Sequence, residues 1–254
     1  MIRLEGLTKN YGKFVAVNSI DLHVQRGEMF GFLGPNGAGK TTTLRIIAGI
    51  MRPTAGRVWL GGIDLLANPM EAKAQLGFIP DRPFLYEKLT GAEFLRFVAG
   101  LYRQEGDLVE TRIDELLDVF ELTRWKHELI EAYSHGMRQK LIISSALIHR
   151  PECIVVDEPM VGLDPKSARL LKSIFRQFVN RGGTVLMSTH TLDVAEAMCD
   201  RIAIIKDGDV IAQGTMQELR EQTASGDASL EDLFLKLTGG ATMRELAAVL
   251  GDAT

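Results

Sequence analysis

The segment Gly34-Pro35-Asn36-Gly37-Ala38-Gly39-Lys40-Thr41 constrains this chain more than any other. It fits the phosphate-binding pattern G-x-x-x-x-G-K-[ST]. Before it, Met29-Phe30-Gly31-Phe32-Leu33 is a short apolar run of the kind that forms a buried strand. After it, the stretch from Thr42 to Met51 carries apolar residues at helical spacing, and Pro53 is expected to stop that helix. Strand, glycine loop and helix are the order that phosphate binding needs. Glycines let backbone N–H groups close around phosphate oxygens, and the helix N-terminus adds a favourable dipole. Lys40 is placed to reach the β- and γ-phosphates and the Thr41 hydroxyl to sit on Mg²⁺. Residues Gly34 to Thr41 and the adjoining Thr42 are therefore the nucleotide-binding candidates. The loop specifies a nucleoside triphosphate, and by itself does not separate a kinase, a GTPase and a transport ATPase.

The 254 residues suffice for one large α/β domain or a domain with an inserted subdomain, and a hydrophobic content of 46% supports a sizeable core. A formal net charge of −4 gives no general attraction to nucleic acid or anionic lipid. The longest apolar stretches, such as Leu141 to Ile148, are too short to span a bilayer. The residues from Met1 to Gly6 do not read as a signal peptide, so a cytoplasmic protein is expected. Cys153 and Cys199 show no metal-ligand spacing and read as two buried thiols.

Along the chain, Ile2, Leu4 and Leu7 predict one strand, Val15 to Val17 a second, and Ile20, Leu22 and Val24 a third. Tyr11 falls in what reads as an exposed turn, Lys9 to Lys13; it suits either stacking on a nucleobase or packing on its own sheet. Thr54 to Asp64 reads as a hairpin, and Gln75 to Pro80 as a short strand followed by Asp81. From about Gly91 to Arg150 helical periodicity dominates, which predicts a helical block inserted in the α/β core. Within it, Tyr133-Ser134-His135-Gly136-Met137 opens a helix expected to run to Pro151. Cys153 to Asp157 predicts a buried strand ending in Asp157 and Glu158. Asp157 is placed to hold Mg²⁺ and Glu158 to act as general base on water. Asp164 and Pro165 open a further helix, where Asp164 is at least a natural N-cap. Thr184 to Thr189 predicts another buried strand, followed by His190. Ligands of parallel α/β sheets sit at the carboxyl ends of the strands, which makes His190 a γ-phosphate candidate. Arg201 to Lys206 and Asp209 to Ala212 read as two strands joined at Asp207-Gly208, and Thr215 caps a short helix. Leu230 to Leu237 is amphipathic, and the residues from Gly239 onward are left as a further helix or a mobile end.

The order of these motifs resembles the nucleotide-binding subunit of an ATP-binding cassette transporter, over about residues 1–220. The resemblance implies an α/β fold: a P-loop NTPase core with a mixed sheet flanked by helices, an N-terminal antiparallel β subdomain and an inserted α-helical subdomain. It divides the chain into an ATP-binding core at 1–84 and 151–222, a helical subdomain at 85–150 and a tail at 223–254. Tyr11 matches the adenine-stacking aromatic, Gly34 to Thr41 the Walker A loop, and Asp157 and Glu158 the Walker B pair. Ser134 and Gly136 match the family signature, Asp164 the loop that communicates across a dimer, and His190 the switch histidine. The implied cofactors are ATP and Mg²⁺. The implied partners are a second cassette, packed head to tail so that each ATP lies between one Walker A loop and the other chain's signature, and a transmembrane permease. No nucleic-acid partner is implied, and the expected location is the cytoplasmic face of the cell membrane.

Two positions depart from the common pattern. Asp81 stands where most members carry glutamine, and remains a candidate for touching Mg²⁺ or water. The signature, commonly Leu-Ser-Gly-Gly-Gln, reads Tyr133-Ser134-His135-Gly136-Met137, so the His135 side chain must point away from the nucleotide. These variants and the tail Leu230 to Phe234 resemble the export-type branch that pairs with a separate permease. Pro83, Phe84, Leu85 and Tyr86 read either as a groove for a permease helix or as ordinary core. A soluble cassette ATPase acting outside transport is the alternative. A non-hydrolysing nucleotide sensor is disfavoured by the presence of Lys40, Asp157, Glu158 and His190.

Overall fold

The computed structural model describes residues 1–82, 84–160, 162–223, 225 and 228–239. The expectations for Pro83 and for residues 240–254 lie outside them. The chain opens with β1 (Ile2–Tyr11) and β2 (Phe14–Val24), an antiparallel pair. The sequence suggested two strands over residues 15–24, and the structure has one. Its alternation slips at Asn18 and Ser19, which both face outward, because Ser19 takes φ 48° opposite Gly6 at φ 54°. This bulge shifts the register between Leu4 and Leu7 without ending the pairing. Tyr11 is the last residue of β1, paired with Phe14, and not a turn residue.

Five apolar residues in a row leave no polar face, and β3 (Met29–Leu33) is accordingly buried throughout. α1 (Lys40–Ile47) follows the glycine loop. It ends well before Pro53, because Gly49 at φ 64° supplies the left-handed stop that a glycine allows. β4 (Ala55–Leu60) and β5 (Ile63–Asp64) form the expected hairpin. α2 (Pro69–Ala74) is too short to give a periodic signal, and leads to β6 (Leu76–Ile79).

Between β6 and β7 come α3 (Gly91–Leu101), α4 (Asp107–Val119) and α5 (His135–Leu147). Thr90 and Glu93 start α3 with a reciprocal capping box. α5 stops short of Pro151, at Leu147, before Arg150 turns left-handed at φ 54°. Then follow β7 (Cys153–Asp157), α6 (Pro165–Asn180), β8 (Thr184–Thr189), α7 (Leu192–Met198), β9 (Arg201–Lys206), β10 (Asp209–Gly214), α8 (Met216–Gln222) and α9 (Leu230–Thr238).

Two sheets result. The first is antiparallel, in the order β2-β1-β4-β5. The second is six-stranded and mixed, in the order β10-β9-β3-β8-β7-β6, parallel except for β10. One core, with Phe30, Phe32, Leu44 and Ile46, lies between the two sheets and α1. A second joins the opposite face of the mixed sheet to α3, α4, α5 and α6. There Leu171, Phe175 and Val179 recur every four residues, so one face of α6 is inside. Phe175 is fully buried, and Phe175→Ala would cost about 3–5 kcal/mol. Leu230 and Leu233 of α9 close a third core with α7 and β9. Cys153 is buried and Cys199 only partly so; both are free, and burial pushes both thiols up to about 12.

Candidate active site

The parallel register aligns the carboxyl ends of three neighbouring strands. Leu33 pairs with Thr189, and Asp157 with Ser188. The glycine loop after β3, the carboxylates after β7 and His190 after β8 therefore meet along one edge of the sheet. They wall a cleft of about 560 Å³, lined by Asn36, Gly37, Gly39, Lys40, Thr41 and Thr42, with Asp157, Glu158 and His190 opposite. Tyr11 and Asp81 also line it.

The loop is held from below. Side chains at Gly34 and Gly39 would strike the carbonyl oxygens of Ile205 and Ala16, so both positions require glycine, and Gly39 in addition takes φ 106°. Gly208 N–H donates to the Ala38 carbonyl at 3.1 Å, so the turn between β9 and β10 props the loop. Gly34 and Ala38 are buried and Pro35 is exposed; these three shape the loop without lining the cleft. α1 starts with no side-chain cap, which leaves its first N–H groups for an anion. The buried Lys40 ammonium donates to the carbonyls of Gly34 (2.6 Å) and Pro35 (3.2 Å). Burial lowers its pKa, and the Glu158 and Asp157 carboxylates work against that shift.

Asp157 is 3% exposed and accepts a hydrogen bond from the Ser188 hydroxyl. Glu158 takes a left-handed φ of 51°, a turn that carries its side chain toward β8. There its carboxylate lies 2.9 Å from His190 Nδ1 and accepts the His190 backbone N–H at 3.4 Å. His190 is mostly exposed and Glu158 mostly buried, so the pair stands at the mouth of the cleft. Hard oxygen donors suit Mg²⁺, which usually takes one or two protein oxygens together with substrate phosphates. The Thr41 hydroxyl and the Asp157 carboxylate offer that set, so the residues fit the ion.

Not every candidate is here. Ser134 caps α5 by accepting the Met137 N–H at 3.3 Å, and neither Ser134 nor Gly136 lines the cleft. Asp164 caps α6, accepting from the Ser167 N–H at 2.9 Å and the Ser167 hydroxyl at 2.7 Å, bonds that lower its pKa. It too lies outside the cleft. Three residues escaped the sequence reading. Phe14, 63% exposed, joins Tyr11 at the cleft rim, and Ala16 lies beside them. The alternation of β2 could have placed Phe14 next to Tyr11 across the hairpin. Ser188, bonded to Asp157, was visible only as a polar residue in a buried strand. The groove expectation divides: Leu85 packs on the core, whereas Phe84 and Tyr86 are exposed, and the Tyr86 ring meets Phe97 edge-on at 5.5 Å.

Fold and cleft together define a P-loop nucleoside triphosphatase. A family profile described as ABC transporter matches residues 17–161, more than half of the chain. The ABC-type transporter ATP-binding protein EcsA of Bacillus subtilis (strain 168) is 36% identical over 238 residues, covering 94% of this chain and 96% of EcsA. The linearmycin resistance ATP-binding protein LnrL of the same organism is 37% identical over 219 residues, covering 86% of this chain and 70% of LnrL. A dimeric structure of the ATP-binding cassette MJ0796, in a post-hydrolysis state bound to ADP and Pi, superposes with a TM-score of 0.77. It is 28% identical and covers 85% of this chain and 99% of that one. The chain belongs to the ABC transporter family, as an ATP-binding and ATP-hydrolysing subunit.

Proposed function

We propose that this chain is the ATPase of an exporter, working as a head-to-tail pair on the cytoplasmic face of the membrane beneath a separate permease. Among the described residues no helix is long and apolar enough to cross a membrane. The name of LnrL, a linearmycin resistance ATP-binding protein, favours export. The observation that carries the hydrolytic part is the Glu158–His190 pair at 2.9 Å, facing the phosphate loop across one cleft.

In this reading Tyr11 and Phe14 stack on the adenine, and the loop amides and the open end of α1 receive the phosphates. Lys40 gives up the Gly34 and Pro35 carbonyls and turns to the β- and γ-phosphates. Mg²⁺, held at Thr41 and Asp157, would neutralise charge developing on the phosphate oxygens. Glu158 takes a proton from the water that attacks the γ-phosphorus, and ADP leaves. His190 fixes the Glu158 carboxylate and faces the γ-phosphate. The other chain's Ser134 and Gly136 supply the contacts this cleft lacks, and Asp164 lies near that seam. Asp81 adds a carboxylate at the rim. Phe84 and Tyr86 give a permease helix an apolar surface.

The test is ATP turnover by the purified chain. Glu158→Gln should retain ATP yet hydrolyse it about 10³-fold more slowly. Turnover at the wild-type rate would remove Glu158 as the base.

A further inference from the structure

Of the three signature residues that depart from the common pattern, Tyr133, His135 and Met137, His135 reaches the loop that carries the base. His135 is the first residue of α5, and its imidazole lies directly over Gly162: any Cβ on Gly162 would overlap His135 Nε2 and Cδ2. Gly162 takes φ 78°, so the loop crosses under the ring at a point where only glycine is comfortable. Met137, half a turn further along α5, packs on the same core as Met160 and Leu163 of that loop. The loop starts at Glu158, whose N–H donates to the Ser188 carbonyl at 3.1 Å. It ends at Asp164, the cap of α6. Within the segment between the base and the α6 cap, Gly162 is therefore seated against the opening of α5. A glycine at position 135 would have no side chain to make that seat.

We propose that His135 is a positioning residue that ties the opening of α5 to the Glu158-bearing loop of its own chain. The inference rests on the head-to-tail pairing proposed above. In such a pair, Ser134 and Gly136 of one chain serve the nucleotide held by the other, whereas Glu158 serves the nucleotide held by its own chain. The ring on Gly162 then links the two sites through one chain. When the opening of α5 moves onto a partner's phosphate, the loop under His135 moves with it, and Glu158 is set for its own water. A small displacement of a catalytic group is enough to change the rate strongly.

Two measurements on the full chain test this. The first is a thermal-stability cycle. Gly162→Ala in the wild type meets both the ring and the unfavourable φ, whereas in a His135→Gly background only the φ remains. The fall in Tm caused by Gly162→Ala should shrink by about half in that background, and equal falls would overturn the seat. The second is Mg-ATP turnover. His135→Gly should lower kcat about tenfold while the Kd of the single chain for ATP changes less than about twofold. His135→Phe, which keeps a flat ring over Gly162, should restore most of kcat. An unchanged kcat in His135→Gly overturns the coupling, and so does a His135→Phe chain as slow as His135→Gly. ATP-dependent pairing of Glu158→Gln separates the two readings: no pairing defeats the head-to-tail arrangement, whereas pairing with an unaltered His135→Gly rate defeats only the coupling.

Discussion

The openings of α1 and α5 are two helix N-termini built on the same principle and finished differently. α1 begins at Gly39 with no side-chain cap, a buried lysine as its first residue, and two carboxylates across the cleft. α5 begins at Ser134, whose hydroxyl already accepts one of its amides, though at a long 3.3 Å. The first is a nearly complete phosphate site within one chain. The second offers amides and a hydroxyl, and its Ser134 and Gly136 lie outside the cleft that holds Asp157 and Glu158. In the pairing proposed above, the difference has a use: each chain brings one full half and one complementary half of a nucleotide site, so that a pair completes what one chain leaves open.

Lys40→Ala should break the stronger half outright. Losing a buried charge-assisted contact costs about 1.5–3 kcal/mol, so ATP affinity should fall by about one to two orders of magnitude in a nucleotide titration. Unchanged affinity would remove the contrast between the two helix openings.

Just past the end of α5, His149 offers a pH probe of how firmly that end is anchored to the sheet. Burial pushes His149 down to about 4, although its Nε2 bonds the Leu76 carbonyl at 3.0 Å and its ring stacks on Tyr102. The unfolded chain takes up a proton near pH 6.5 that the folded chain refuses until about pH 4, so stability falls as pH drops through that window. From pH 7 to pH 5 the loss should be about 2 kcal/mol in denaturant titrations, and His149→Phe should remove that part of the slope. An identical slope in both proteins would contradict the buried neutral imidazole.

Ser134→Ala should act on the weaker half alone. Turnover should drop about tenfold while nucleotide affinity of the single chain stays unchanged, the reverse of Lys40→Ala. A loss of single-chain affinity would place Ser134 in its own chain's cleft. The smallest effect is expected at Asp81. It is exposed at the rim, and Asp81→Gln should leave basal hydrolysis within about threefold, since an exposed charge is well screened. Loss of most activity would put Asp81 among the groups that touch metal or water.

The phosphate loop was legible because its requirements are local. Its pattern is contiguous, Gly37 and Gly39 answer left-handed φ values of their own, and β3 and α1 flank it with unambiguous patterns, although the carbonyls that Gly34 and Gly39 must clear belong to the remote Ile205 and Ala16. Asp157, Glu158 and His190 were legible once strand ends were assumed to align, which the β3–β8–β7 register reports. What escaped depends on partners remote in sequence or on single dihedrals. The bulge at Ser19 interrupts the alternation and so resembled a strand boundary. Pro53 drew attention from Gly49, the residue that ends α1. α2 and α7 are too short for a helical period to show. The departure at His135 was visible, but its seat on Gly162 comes from the packing of α5 against the loop after β7.

The divided site is tested most directly by size-exclusion chromatography of the Glu158→Gln chain with and without Mg-ATP. A shift from monomer to dimer only when Mg-ATP is present is the expected result. A chain that binds ATP and still elutes as a monomer would contradict a site shared between the opening of α1 in one copy and that of α5 in the other.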